Sequence, residues 1–320
     1  MRDNKWLDAV MGVATGDALG LPVQFMSRAA IAKNPVTDMM VCDLDLGPTG
    51  IWSDDTSMTM AMLDSIKGLG RVDVQDIMEC FVDWLFNAKY CSVGEPIDIG
   101  ATCYDSINRY YNNRDVITCG KTGEYANGNG SLMRNIPISL FYAEKVRNGE
   151  AAVDKAIRDI HAVSALTHNH LRACMACGMD FFLVYAVLYE EGSLAERLQK
   201  GIDAGFKFYG ADPANHREMA HYDNLMYISE LAEFPESKIR STGYVVDTFE
   251  AAIWSLVTTD NYRDAMLKAV NLGDDTDTIA AIAGGLAGLY YGYDSIPEEW
   301  LSELVRREWL EEMCRMDRKK

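Results

Sequence analysis

Apolar residues recur every three or four positions through most of the 320-residue chain, which is the spacing of one face of an α-helix. Trp6, Val10, Val13 and Ala14 give the first example. The pattern predicts helices near residues 5–19, 55–67, 73–88, 98–111, 150–165, 170–190, 194–206, 215–232, 244–257, 260–271, 277–291 and 298–315. All eight prolines fall between these segments, where a missing N–H group does least harm to a helix.

Alternating apolar and polar positions, the pattern of a β-strand, are scarce. Only Val36 to Leu46 and Asn135 to Phe141 resemble strands, and strands and helices do not alternate in the way a parallel sheet requires. The chain also lacks a linker rich in proline, serine or glycine. Although about 150 residues per domain is the usual size, we therefore predict one all-α domain over residues 1–320.

The composition is that of an ordinary globular protein, with 48% hydrophobic and 24% charged residues. Thirty lysines and arginines against 48 aspartates and glutamates give a formal charge of −18. Such a surface repels phosphate backbones and anionic lipid, so we expect binding neither to a nucleic-acid scaffold nor to a membrane. An anionic ligand would need a cation between itself and this chain, and a divalent metal ion meets that need.

Three features of the sequence predict that the protein is cytoplasmic. The first eight residues, MRDNKWLD, lack the apolar core of a signal peptide. The longest apolar run without a charge, Thr278 to Tyr293, is shorter than the roughly 20 residues of a membrane span and rich in glycine. The eight cysteines of a chain without a secretory signal are expected to be reduced thiols.

Two acidic clusters with hydroxyl residues each open an apolar helical segment: 53–56 reads SDDT and 273–278 reads GDDTDT. Helix capping explains one aspartate in each cluster but not several, because adjacent carboxylates repel each other. A cation would remove that repulsion. Carboxylate and hydroxyl oxygens are ligands of Mg²⁺ and Mn²⁺, and two converging clusters suit a two-metal centre. Spacing alone leaves capping and metal binding as open alternatives.

Six motifs follow one another along the chain: Gly16-Asp17-Ala18-Leu19-Gly20, Trp52-Ser53-Asp54-Asp55-Thr56, Asp98-Ile99-Gly100, Gly128-Asn129-Gly130-Ser131-Leu132-Met133-Arg134, Thr167-His168-Asn169-His170 and Gly273-Asp274-Asp275-Thr276-Asp277-Thr278. They occur in the order found in the ADP-ribosylglycohydrolases. The chain resembles this family, which includes dinitrogenase-reductase-activating glycohydrolase and the ADP-ribosyl-acceptor hydrolases, from about residue 10 to residue 292.

The resemblance implies a compact orthogonal multi-helix bundle with two Mg²⁺ ions, or Mn²⁺, at the base of a cleft. It also implies hydrolysis of the glycosidic bond between ADP-ribose and a modified protein side chain or small molecule, with release of ADP-ribose. In related enzymes the metal ions engage the distal ribose of ADP-ribose. The residues that match the family's metal ligands are Ser53, Asp54, Asp55, Asp275, Asp277 and Thr278.

A glycine-rich segment and a histidine are the candidate substrate-binding residues. Exposed backbone N–H groups in a glycine-rich loop can approach a diphosphate closely, although a surface turn has the same composition. No lysine follows as in a Walker loop. The resemblance identifies a pyrophosphate-contacting loop and a histidine in the cleft, and the corresponding residues here are Gly128, Asn129, Gly130, Ser131 and His168.

The two histidines of the fifth motif, His168 and His170, cannot lie on one helical face, so we expect one of them to be structural. Their proximity to Cys174 and Cys177 raises a zinc site as an alternative. That alternative is weak, because one Cys-x-x-Cys pair within a hydrophobic helix has no second pair to complete it.

The candidate catalytic residues are Asp98, Asp54 and Gln24. Asp98 lies at the start of a predicted helix, where capping is the alternative role, and in similar proteins it faces the reacting ribose as an acid or base. At the position of Gln24 the family commonly has a glutamate, and an amide cannot act as a base. Three outcomes follow: catalysis through Asp98 or a metal-bound hydroxide, an altered acceptor preference, or loss of hydrolysis that leaves an ADP-ribose-binding module. A two-metal phosphohydrolase is a further alternative.

Overall fold

The computed structural model describes residues 4–42 and 47–315. Within them the α-helices are α1 Lys5–Gly20, α2 Arg28–Ile31, α3 Asp54–Leu69, α4 Val74–Asn87, α5 Ala101–Asn113, α6 Ile136–Arg147, α7 Val153–Ala165, α8 Leu171–Tyr189, α9 Leu194–Gly210, α10 His216–Met219, α11 Ile228–Ala232, α12 Val245–Val257, α13 Tyr262–Val270, α14 Thr276–Tyr291, α15 Glu298–Glu303 and α16 Arg307–Arg315. Short 3₁₀ turns lie at Leu21–Val23, Glu124–Ala126, Pro213–Asn215, Ala220–Leu225, Glu236–Lys238 and Tyr293–Ser295.

The predicted all-α class is confirmed: the described residues contain no strand, only two isolated β-bridges, at Lys121–His168 and Gly128–Tyr244. Local capping explains several helix ends. The Asn4 side chain accepts a hydrogen bond from Leu7 N at 3.1 Å and begins α1. Gly70 ends α3 in the left-handed conformation that glycine adopts without strain.

Helices α1 and α14 pack backbone against backbone at the centre of the fold. A Cβ atom on Gly16 would lie 2.1 Å from Ala280 O, and one on Gly20 would lie 2.5 Å from Asp277 Cα. Glycine is required at both positions because any side chain would force the two helices apart. The close approach brings the end of α1 beside the start of α14, and with it the second acidic cluster.

The hydrophobic core surrounds this pair, and buried side chains from α3, α6, α8, α12 and α13 belong to the same cluster. By length and composition α8 could cross a membrane. However, 83% of its most apolar window is buried inside the protein, as in the core helix of a globular domain. It packs mainly against α9, α6 and α7.

Some sequence predictions were wrong. The segment Asn135 to Phe141 is not a strand but the start of α6, where Pro137 occupies the first turn. Residues Ile136 to Leu140 of this helix are all buried, so no amphipathic pattern marks it. The other suspected strand is irregular over residues 36–42, and residues 43–46 lie outside the described part of the chain.

Two predicted long helices are interrupted. Residues 215–232 form two short α-helices around a 3₁₀ turn, and 298–315 breaks at Arg306, whose φ is 57°.

Candidate metal centre and ligand cleft

Three fully buried aspartates meet where α1, α3 and α14 converge. One carboxylate oxygen from each of Asp17, Asp55 and Asp277 lies within 4.8 Å of the other two. The clusters at 53–56 and 273–278 are thus brought together, as the prediction of a shared site requires, and Asp17 joins them from the Gly-Asp-Ala-Leu-Gly motif.

The carboxylate of Asp17 is fully engaged with the start of α3. Its Oδ1 accepts hydrogen bonds from Ser53 N at 3.0 Å and Ser53 Oγ at 2.8 Å, and its Oδ2 accepts from Thr56 N at 3.0 Å and Thr56 Oγ1 at 2.6 Å. Burial raises the pKa of Asp17 to about 6, although these four hydrogen bonds favour the charged form. Four donors occupy the lone pairs of this carboxylate, so Asp17 positions α3 rather than offering itself as a ligand.

Asp55 and Asp277, by contrast, each have a buried oxygen without any hydrogen-bond donor, Asp55 Oδ1 and Asp277 Oδ2. Burial raises the pKa of both carboxyl groups well above its usual value, and repulsion from neighbouring aspartates, Asp17 foremost for Asp55, adds to the effect. Unpaired buried oxygens are costly, and a cation between them would relieve both the desolvation and the repulsion.

Hydroxyl oxygens complete the donor set around Asp55. Ser53 Oγ lies 3.2 Å and Thr278 Oγ1 lies 3.4 Å from Asp55 Oδ2. Because Ser53 Oγ–H also points to Asp17, the lone pairs of this hydroxyl stay available to a cation. Carboxylates and hydroxyls without histidine or cysteine fit a hard divalent ion such as Mg²⁺ or Mn²⁺.

Above this cluster a cleft opens to solvent. Burial, followed by the charge of Asp98, raises the pKa of Asp54 well above its usual value. Asp275 Oδ2 accepts a hydrogen bond of 2.5 Å from Asn129 Nδ2. Burial raises the pKa of Asp275 as well, and the Asn129 bond partly opposes this. The sequence-predicted residues that line the cleft are Gln24, Asp54, Asp98, Gly128, Asn129, Gly130, His168, Asp275 and Thr278.

The other predicted residues lie outside the cleft wall. Ser53, Asp55 and Asp277 are buried below its floor. The side chain of Ser131 lies in the protein interior, where its Oγ accepts hydrogen bonds from Ser164 Oγ at 2.9 Å and from Cys177 Sγ at 3.5 Å.

Both β-bridges hold the glycine-rich loop and the histidine in place. Asn129 N donates to Gly243 O at 3.1 Å, beside the bridge between Gly128 and Tyr244. A Cβ atom on Gly130 would lie 2.8 Å from Cε1 of His168 and 3.0 Å from Sγ of Cys103. The loop therefore packs directly on the imidazole ring, and glycine at 130 is what allows it.

His168 is held as a neutral ring. Burial lowers its pKa to about 3, and the charges of Arg134 and Lys121 act in the same direction. Its Nδ1 lies 2.8 Å from Thr167 Oγ1, which also accepts a hydrogen bond of 2.6 Å from the buried guanidinium of Arg134. Arg134 further donates to Gly130 O at 2.8 Å. This arginine thus ties the loop to the histidine.

His170 has the structural role expected of one of the two histidines: it caps α8, with its Nδ1 accepting from Arg172 N at 3.2 Å. Burial raises the pKa of the Cys174 and Cys177 thiols to about 11 and about 12. Across residues 4–42 and 47–315, the aspartates described above are the only group of three or more acidic, histidine or cysteine side chains close enough to share a metal ion. Within this part of the chain, His168, His170, Cys174 and Cys177 therefore do not form the ligand set that the alternative zinc site would need.

One part of the cleft rim contains strained backbone. Phe25, Asp98 and Asp274 have φ values of 62°, 47° and 60°, which non-glycine residues rarely adopt. Gln24 Nε2 donates to Asp98 Oδ2 at 2.6 Å across this rim. Asp98 does not cap α5, whose N-cap is Gly100. Strain of this kind concentrates at functional sites.

Comparison with known proteins agrees with this geometry. The family model described as ADP-ribosylglycohydrolase matches residues 1–319. The chain belongs to this family. It is 33% identical over 301 residues to "ADP-ribosylarginine hydrolase Tri1" of Serratia proteamaculans, covering 94% of this chain and 75% of that protein. It is 32% identical over 301 residues to "ADP-ribosyl-[dinitrogen reductase] glycohydrolase" of Rhodospirillum rubrum, covering 93% and 89% of the two chains.

A solved structure titled "ADP-ribosylglycohydrolase-related protein complex" matches with a TM-score of 0.78 and 28% identity, over 98% of this chain and 96% of that one. The resemblance drawn from the sequence is thereby confirmed.

In this ADP-ribosylglycohydrolase, sequence reasoning missed the roles of Asp17, Arg134 and Thr167, although all three lie within the recognised motifs. Arg134 is fully buried in spite of its charge, and only its side-chain partners in the fold explain this. The signal that could have found Asp17 is its position as the only charged residue in the segment from Ala9 to Gly20, because a buried carboxylate needs donors.

Proposed function

We propose that this protein is a metal-dependent hydrolase that cleaves the glycosidic bond between ADP-ribose and an acceptor and releases ADP-ribose. The observation that carries the proposal is the pair of unpartnered buried oxygens, Asp55 Oδ1 and Asp277 Oδ2, at the base of a cleft walled by a glycine-rich loop. Arginine is the proposed acceptor, since a relative covering 94% of this chain is named for ADP-ribosylarginine.

The proposed cofactor is a pair of Mg²⁺ ions, with Mn²⁺ as the alternative. When bound, such ions orient a sugar through its hydroxyls and act as Lewis acids. Their placement would neutralise carboxylates that now repel one another. The residues that would hold them are Ser53, Asp54, Asp55, Asp275, Asp277 and Thr278.

The glycine-rich loop and His168 are proposed to bind the diphosphate. Backbone N–H groups of Gly128 and Gly130 can approach phosphate oxygens closely because these residues lack side chains, whereas the N–H of Asn129 is already bonded to Gly243 O and holds the loop in place. Ser131 would contribute only backbone, because its hydroxyl bonds to Ser164. The neutral ring of His168 can donate one hydrogen bond to an anion without bringing a positive charge into the buried wall.

Asp98 is the proposed acid or base for the reacting bond. It is half-exposed, lines the cleft and receives a hydrogen bond from Gln24 that fixes one of its oxygens. Gln24 cannot accept a proton and instead orients Asp98. Asp54 also lines the cleft, and its carboxylate is proposed to orient the attacking water.

The test uses two peptides, one ADP-ribosylated on arginine and one on serine, with Mg²⁺, with Mn²⁺ and with EDTA. We expect metal-dependent release of ADP-ribose, faster from the arginine peptide. Lack of release from either peptide in every metal condition would contradict the proposed hydrolase. Asp55→Ala and Asp277→Ala should remove most of the activity.

Gln24 favours a second candidate, an ADP-ribose-binding module without turnover. Calorimetry that detects ADP-ribose binding beside zero turnover would select it. Turnover gained by Gln24→Glu would then identify this amide as the cause. Release of inorganic phosphate from nucleotides would instead indicate a two-metal phosphohydrolase, which intact ADP-ribose as the product excludes.

We also propose that the protein works in the cytoplasm on an ADP-ribosylated protein or small molecule. All eight cysteines are free thiols, which suits a reducing compartment. A free-thiol titration of protein isolated under non-reducing conditions tests this, because disulfides would indicate another compartment.

A further inference from the structure

Phe25 is a large apolar side chain displayed at the mouth of the cleft. Its surface is 72% exposed, and the residue is one of those that line the cleft. Its φ of 62° adds backbone strain that a glycine or asparagine would avoid. Neither the exposure nor the strain stabilises the fold, and strained residues concentrate at functional sites, so Phe25 is a candidate for contact with a ligand in the cleft.

The backbone fixes the position of this residue. Phe25 N donates to Asp274 O at 2.6 Å, and Asp274 N donates to Met26 O at 2.8 Å. On the other side, Gln24 Nε2 is bound to Asp98. The segment 24–26 is thus tied both to the loop of the second acidic cluster and to the proposed catalytic carboxylate.

The geometry of the proposed site determines which part of a bound substrate Phe25 contacts. The glycine-rich loop and His168 form one wall, and the acidic residues form the floor. An ADP-ribose with its diphosphate at that wall and its distal ribose over the floor directs the bond to the acceptor toward the remaining wall. The other residues that line the cleft include Gln24, Phe25 and Asp98, together with residues 100–103 at the start of α5.

We propose that Phe25 binds the acceptor and selects for a cationic one, with the guanidinium of an ADP-ribosylated arginine against the face of its ring. This inference rests on the proposed function. An aromatic face attracts a cation by roughly 0.5–1 kcal/mol at an exposed position, and the nearby carboxylate of Asp98 acts in the same direction. A neutral acceptor such as a serine side chain gains nothing from either group. Phe25 acts in binding and takes no part in bond cleavage.

The experiment compares Phe25→Leu, which keeps an apolar side chain but removes the ring, with Phe25→Trp, which enlarges the ring. With ADP-ribosylarginine peptide as substrate, we expect Phe25→Leu to raise KM about 2- to 5-fold, the factor equivalent to 0.5–1 kcal/mol. Phe25→Trp should keep or lower KM. Inhibition by free ADP-ribose should be unchanged in both, since this product has no acceptor.

The matched control is Met26→Leu, which alters the neighbouring exposed residue of the same loop and should leave KM unchanged. Melting temperatures of all variants establish that they fold. An unchanged KM in Phe25→Leu overturns the inference, and so does an equal loss of affinity for free ADP-ribose.

Failure of the proposed function is a separate outcome. If the wild-type protein hydrolyses nothing, calorimetry with ADP-ribosylarginine and with ADP-ribose replaces the kinetics. Tighter binding of ADP-ribosylarginine that Phe25→Leu abolishes would still support the role of Phe25. Equal binding of the two ligands by the wild type, or binding of neither, overturns it.

Discussion

Asp17 in α1 caps a different helix, because its Oδ2 accepts both the backbone N–H of Thr56 at 3.0 Å and the hydroxyl of Thr56 at 2.6 Å. The first turn of α3 therefore does not use its own aspartates as caps, and Ser53 makes no side-chain capping bond. Asp54 and Asp55 remain available for a ligand. Capping, one of the two alternatives that spacing left open for the first cluster, is performed at α3 by Asp17, which lies outside that cluster.

Asp17→Ala should destabilise the protein more than loss of an ordinary helix cap. Four buried donors would lose their acceptor, and we expect a decrease of about 2–4 kcal/mol in the free energy of unfolding. Asp73→Ala is the matched control, because Asp73 caps α4 near the surface through Gln75 N and Asp76 N. Removing such a cap costs about 1 kcal/mol. Urea unfolding measures both, and equal losses would show that Asp17 is an ordinary cap.

Asp277→Asn should raise the melting temperature of the metal-free protein but reduce the stabilisation that Mg²⁺ provides. The amide keeps an oxygen for the bond from Thr278 N but removes one of the mutually repelling charges. We expect the metal-free variant to melt higher than the wild type and to gain little from Mg²⁺. The wild type should gain about 2.7 kcal/mol at a Mg²⁺ concentration 100-fold above Kd.

The control for this substitution is Asp294→Asn, which removes one carboxylate from an exposed position and should retain the Mg²⁺ response. A wild-type melting temperature indifferent to both Mg²⁺ and Mn²⁺ would contradict the proposed centre.

Gly130→Ala should weaken ADP-ribose binding without unfolding the protein. The new methyl group would meet the His168 ring and the Cys103 sulfur at 2.8 and 3.0 Å, so the ring and the loop must move apart. We expect at least a tenfold increase in Kd by calorimetry, equivalent to about 1.4 kcal/mol. Gly94→Ala, where a Cβ atom meets nothing within 4 Å, is the control. Unchanged affinity in Gly130→Ala would exclude this loop from the binding site.

Asp180 should make stability fall as pH rises from about 4 to about 6. Burial raises the pKa of this carboxyl to about 6 from 3.8, despite hydrogen bonds from Asn135 and Ser139. In that pH range the folded state keeps a proton that the unfolded state has released, so the free energy of unfolding decreases with increasing pH. The shift corresponds to about 3 kcal/mol.

Asp180→Asn tests this effect, because the amide carries no titratable charge. Urea unfolding of variant and wild type at pH 4.5 and 7 should show a smaller decrease in the variant. The same decrease in both proteins would assign the pH dependence to other groups.

Much of the fold follows from local sequence. The three- to four-residue period located α3, α4, α8 and α12 to within a few residues, because amphipathic or apolar helices carry their own pattern. The start of α6 was misread because residues 136–140 are all buried, so this part of the helix has no polar face to mark it.

The sequence alone identified the residues proposed to carry the chemistry: the paired aspartates, the glycine-rich loop and His168 are recognisable as motifs. Tertiary structure decided how they are used. Only the backbone contact of α1 with α14 places Asp277 beside Asp55 and Asp17, and only that convergence produces the burial and repulsion that a cation would relieve. Periodicity and capping are local properties of the chain, whereas desolvation and charge repulsion depend on which distant segments meet.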